Sequence, residues 1–90
     1  MKLQTRVSLR GPRGQQYPAE LLDWMKDEDF GETLVEGRLV ISKNPETGRM
    51  PELHCYSDDR WILTTGEGEF DIVWTNIGRN GEAQFRSRDD

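Results

Sequence analysis

The sequence predicts an α+β domain. The expected architecture is a mainly antiparallel β-sheet, or a small bent barrel of five to six strands, with one short helix after the first strand, in the order β-α-β-β-β-β-β. Three observations carry this expectation. Apolar and polar residues alternate over most of the chain, which is the period-2 signature of half-buried strands. Short clusters containing Gly, Pro, Asn or Asp separate these runs and suit tight connections. One segment, YPAELLDWMKDEDFGE at 17–32, departs from alternation and sets Leu21, Leu22 and Met25 within about 100° of a helical wheel, with Trp24 on one flank. Alanine, the strongest helix former, occurs only at Ala19 and Ala83, which argues against a helical bundle. Ninety residues set one domain, 1–90.

The first strand, LQTRVSL, turns Leu3, Thr5, Val7 and Leu9 one way and Lys2, Gln4, Arg6, Ser8 and Arg10 the other. RGPRGQQ then breaks it. In the predicted helix Pro18 suits the first helical position, Glu20 and Asp23 favour the N-terminal end of the dipole, and Gly31 stops the element. TLVEGRLVIS returns to alternation, with Val35, Gly37, Leu39 and Ile41 on one face. KNPETGR reads as a turn through Pro45 and Gly48. PELHCYS, WILTT and FDIVWTNI are the next predicted strands. Asn80-Gly81 is the preferred type I′ pair and leads into the last strand. A two-residue loop there opposes Asn76 to Phe85 and Trp74 to Ser87, with Phe70, Ile72, Trp74, Ala83 and Phe85 facing the core.

The stretch PELHCYSDDRW holds the single His and the single Cys side by side. In a strand, Cys55 points inward with Leu53, while His54 points outward with Glu52 and Tyr56. A Cys–His nucleophile pair needs both side chains within hydrogen-bond reach, and structural zinc takes four ligands. No phosphate loop, calcium loop or hydrolase elbow is present. The sequence therefore predicts a non-enzymatic chain with no catalytic residue, metal or cofactor. One Cys excludes an internal disulfide. The opening MKLQTRVSLR lacks the apolar run of a leader, and no stretch approaches the ~20 apolar residues of a membrane span. A cytoplasmic protein without a membrane partner is expected.

Charge supplies the functional expectation. Twelve bases and seventeen acids give −5, unevenly spread: residues 1–19 carry four bases and no acid, while residues 20–82 carry fifteen acids against six bases. Asp23, Asp27, Glu28, Asp29 and Glu32 form the densest cluster, an acidic patch suited to a basic protein partner. The expected function is a protein-binding module, in narrower form a small acidic inhibitor or accessory factor of phage type. It would act on a nucleic-acid-processing complex by occupying a surface built for phosphate. The alternative is a nucleic-acid-binding domain in which Lys2, Arg6, Arg10, Arg13, Arg86 and Arg88 merge into one basic patch, provided the last strand pairs beside the first. His54, Tyr56, Trp24 and Trp61 are further interface candidates, since aromatic residues dominate binding hot spots.

Overall fold

The structure is a computed structural model that describes residues 5–29 and 31–88. It is all-β. Six strands, β1 (Thr5–Arg10), β2 (Gln16–Asp29), β3 (Glu32–Ile41), β4 (Trp61–Thr65), β5 (Gly68–Ile77) and β6 (Glu82–Ser87), form a closed antiparallel barrel in the order β1-β2-β3-β6-β5-β4. The barrel closes where β4 returns to β1, with Leu63 opposite Leu9. No helix occurs among the described residues, and none is long and apolar enough to cross a membrane.

The predicted helix is instead the long strand β2, so the α+β assignment is corrected to all-β. Tyr17, Ala19 and Leu21 alternate and are all buried. A register shift between Leu21 and Asp23 then inserts Leu22 as a bulge against β3. One extra residue moves the inward phase from odd to even positions. Leu21 and Trp24 thus share the inner face at a spacing of three, which on paper reads as a helical turn. Pro18 fits because the Ser42 N–H donates to its carbonyl at 2.8 Å at the end of the β2–β3 ladder, where a missing N–H forfeits only the last bond.

Each strand supplies alternate residues to the interior: Val7 and Leu9, then Tyr17, Ala19 and Leu21, then Val35, Leu39 and Ile41, then Trp61 and Leu63, then Ile72 and Trp74, and finally Ala83 and Phe85. Trp61 sits between Tyr17 and Trp74, with ring centroids 5.8 and 5.5 Å away. Each such ring removes on the order of 150–250 Å² from water, roughly 4–6 kcal/mol at about 25 cal/mol per Å². That concentration of aromatic burial lets a short chain without a disulfide hold a core.

Residues 42–60 form one long connection, which corrects the predicted strand at 51–57. Its first part winds around buried Asn44. The Asn44 Nδ2 donates to the Gln16 carbonyl at 3.1 Å, and its Oδ1 accepts the Glu46 and Thr47 N–H groups at 2.7 and 3.1 Å. Further on, Leu53 packs on the core as expected, but only Cys55 bridges to Trp74. The Tyr56 N–H donates to the Trp74 carbonyl at 2.9 Å, and Tyr56 takes φ 54°, which ends any alternation. Cys55 is consequently exposed rather than buried.

The β5–β6 hairpin keeps its predicted turn: the Glu82 N–H donates to the Arg79 carbonyl at 3.1 Å, and Asn80 and Gly81 both have positive φ. Its register differs from the expected one. A second irregularity between Trp74 and Asn76 sets Trp74 opposite Phe85 and Asn76 opposite Gln84.

Candidate protein-docking surface

Among the described residues, β1 pairs with β2 as far as Leu21, and β6 pairs with β3 from Glu36 onward. Among the described residues, the distal parts of β2 and β3 therefore continue as a two-stranded ribbon, with Met25 opposite Glu36 and Asp27 opposite Leu34.

Contacts on the inner face and at the β6 edge hold the ribbon to the barrel, and one on the outer face ties its two strands together. On the inner face Trp24 meets Phe70 edge-on at 6.0 Å. Beyond it, Lys26 pairs with Glu67 from the β4–β5 turn. The Glu67 hydrogen bond and charge hold the Lys26 ammonium above its ordinary pKa. On the outer face the Arg38 guanidinium grips Asp23 Oδ2 through Nη2 at 2.6 Å and Nε at 3.1 Å, which raises the arginine further. At the β6 edge the Ser87 hydroxyl accepts the Val35 N–H at 2.6 Å and donates to the Val35 carbonyl at 3.3 Å.

The outer face of the ribbon alternates apolar and acidic groups along and across the strands. Met25 is 65% exposed and Leu34 is 42% exposed, and the two are diagonal neighbours on this face. With Asp27, Glu32, Glu36 and Arg86 they line a hollow of about 330 Å³. A second hollow of about 510 Å³, lined by Asp23, Arg38 and Gln84 among others, shares Met25 and Glu36 with the first. Arg86 lies across the sheet from Glu36, but its guanidinium stacks over the Tyr56 ring, 5.7 Å from the centroid. Among the described residues, Asp27, Glu32 and Glu36 have no base within 4 Å.

The predicted acidic patch is thus divided. Asp23 is joined to Arg38. Asp27 and Glu32 line the outer hollow. Glu28 sits one position off Asp27 and adds to the charge around Lys26. The Asp29 side chain lies outside the described residues. The sequence reading missed Glu36, Leu34 and Met25 as surface members. Glu36 and Leu34 were legible as the positions that alternate with Val35 and Gly37.

The predicted basic patch does not assemble. β1 and β6 are not neighbours; β2 and β3 separate them on one side, and β4 and β5 on the other. Arg6 and Arg10 lie on β1, Arg10 within 4.0 Å of Glu69, and Arg13 lies in the β1–β2 loop. Arg88 is held inside the molecule's surface: its Nη2 donates to the carbonyls of Ser57 at 3.2 Å and Asp59 at 2.7 Å. Lys2 lies outside the described residues.

Of the aromatic interface candidates, Trp61 is buried at 4% and Trp24 is half-buried, so both belong to the core, whereas Tyr56 is 63% exposed. His54 is exposed with its Nε2 3.4 Å from Glu52, beside a hollow of about 260 Å³ that also receives Arg13 and Asp59. No group of three or more His, Cys, Asp or Glu among the described residues is placed to hold a metal ion.

No family model, curated protein or solved structure matches this chain. The functional reading therefore rests on the geometry of the ribbon and the charges around it.

Proposed function

We propose that this chain is a protein-binding module that docks a basic partner on the outer face of the β2–β3 ribbon. The observation that carries this reading is the exposure of Met25 and Leu34 among Asp27, Glu32 and Glu36, with the two nearest bases on this face engaged elsewhere, Arg86 stacked on Tyr56 and Arg38 paired with Asp23. Exposed apolar groups supply affinity on desolvation, and the uncompensated carboxylates steer a cationic surface toward them. In its narrower form the module is an inhibitor or accessory factor that covers a phosphate-binding surface of a nucleic-acid-processing complex. The net charge of −5 supports that form. The nucleic-acid-binding alternative is weakened by the separation of β1 from β6.

The test compares two charge-reversal variants in proximity crosslinking from cells that encode the protein. Asp27→Lys with Glu36→Lys should abolish capture of a basic partner, and Arg6→Glu with Arg10→Glu should leave it intact. The opposite pattern refutes the assignment of the surface. Fluorescence anisotropy with single- and double-stranded oligonucleotides at low salt should show no binding; steeply salt-dependent binding would favour the alternative.

A further inference from the structure

The pattern on β3 narrows the chemistry of the partner. Glu32, Leu34 and Glu36 are alternate residues of one strand, all exposed on the face that carries Met25 and Asp27. Alternate strand positions lie about 6.6–6.8 Å apart, so the two carboxylates stand about 13 Å apart with the leucine midway. Across the strands the order reverses: acidic Glu36 faces apolar Met25, and apolar Leu34 faces acidic Asp27.

We infer that the occupant of this face is an extended segment of a partner protein with the order basic–x–apolar–x–basic, its two cations meeting Glu32 and Glu36 and its apolar side chain entering the hollow beside Leu34 and Met25. This inference rests on the docking reading above. An extended segment repeats with the same period as β3, so three alternate side chains meet all three groups at once. A helix carries its i, i+4 and i+8 groups over about 12 Å, close to the same span, but each step of four turns the side chain by about 40° around the axis, so the outer two diverge by about 80° and do not face the strand together. The hollow of about 330 Å³ is at the small end of ligand clefts, which suits one apolar side chain and its neighbours better than the flank of a helix. Arg86 closes one end of the hollow, where it stacks on Tyr56 and makes no ion pair within 4 Å with Glu36 opposite it.

Three synthetic peptides test this by titration against the full-length, isotope-labelled protein, followed through the backbone amides of residues 25–27 and 32–36. One is Thr-Arg-Ser-Leu-Ser-Arg-Thr. The second is its scramble, Thr-Arg-Arg-Leu-Ser-Ser-Thr. The third is a lactam-constrained helix with Arg, Leu and Arg at i, i+4 and i+8. The first peptide should shift the ribbon amides and bind at least about fivefold tighter than the other two, the gain expected from a well-placed exposed ion pair. Glu32→Gln with Glu36→Gln should remove that preference, and Leu34→Ser should weaken the first peptide while leaving the barrel amides in place.

Equal or tighter binding of the scramble or the helix, with shifts still on the ribbon, overturns the extended-segment inference and leaves the docking reading standing. No ribbon shift with any of the three overturns both. Self-association of the wild type that Glu36→Lys abolishes would identify a second copy of the chain as the occupant and overturn the inference.

Discussion

Trp24 lies directly across β2–β3 from Gly37, so close that a methyl group at position 37 would sit 2.7 Å from the Trp24 Cβ and 2.3 Å from the Asp23 carbonyl oxygen. The β2 backbone thus leaves no room for a side chain at position 37, which ties the two strands closely together beside the bulge that starts the ribbon. Gly37→Ala should destabilise the barrel by about 1–3 kcal/mol, because the obstruction is backbone rather than a movable side-chain tip. Urea unfolding followed by tryptophan fluorescence measures this. An unchanged midpoint would mean that the bulge can relax.

Asn44 is the buried polar residue that organises the long β3–β4 connection. Its side chain fills one donor and two acceptor roles with backbone groups. Asn44→Ala should cost about 1–3 kcal/mol by leaving those groups unpaired. Asn44→Asp should recover part of the loss, since it keeps both acceptor contacts and lacks only the donor to Gln16. Chemical denaturation of the two variants checks the order.

Arg88 ties the same connection to the other end of the sheet. It reaches the Ser57 and Asp59 carbonyls while its Nε lies 3.9 Å from Asp71 Oδ1. Arg88→Ala should cost about 1.5–3 kcal/mol, the usual range for hydrogen bonds with a charged partner. Arg88→Lys should rescue little, because one ammonium cannot reproduce the planar fork. Amide exchange at Tyr56 and Asp59 should accelerate in both variants, and unchanged protection there would refute the role.

The Lys26–Glu67 pair gives the ribbon a distinctive pH response. Glu67 raises the Lys26 pKa above its ordinary value of 10.5 in the folded state. A lysine raised on folding stabilises the protein fully below its unfolded pKa, and that contribution disappears as pH climbs through the higher folded value. The stability difference between wild type and Lys26→Gln should thus be constant through neutral pH and shrink above 10.5. It should also shrink in high salt, since the pair is exposed. Unfolding curves across that alkaline range decide it; a difference that grows with pH would contradict the sign.

Much of the barrel was legible in alternation alone. Val35, Leu39 and Ile41 in β3, and Ile72, Trp74, Ala83 and Phe85 in the last hairpin, face inward as their spacing indicates. The failure at 17–32 has a physical cause: Leu22 is an extra residue that breaks the alternation, so Leu21, Leu22 and Met25 resemble a helical stripe although Leu21 is buried and Met25 is exposed on the outer face. The PELHCYS stretch misled for the reverse reason. Its residues alternate in type, but Tyr56 takes a left-handed backbone that no strand sustains. The proposed docking surface was half visible. Asp27 and Glu32 stood out by charge, whereas Glu36 and Leu34 gain meaning only once β6 is seen to stop at their level.

The seam between β1 and β4, where Ser8 pairs with Thr64, joins the opening of the chain to its second half across the whole 42–60 connection. Such a pairing yields no ladder bonds until a long loop has closed, and closure is costly in chain entropy. Topologies dominated by non-local strand pairs fold in milliseconds to seconds, and helical domains of similar size fold far faster. Stopped-flow refolding, with Trp61 and Trp74 on the β4–β5 side of that seam as reporters, should therefore show one slow phase in which both indoles become shielded together.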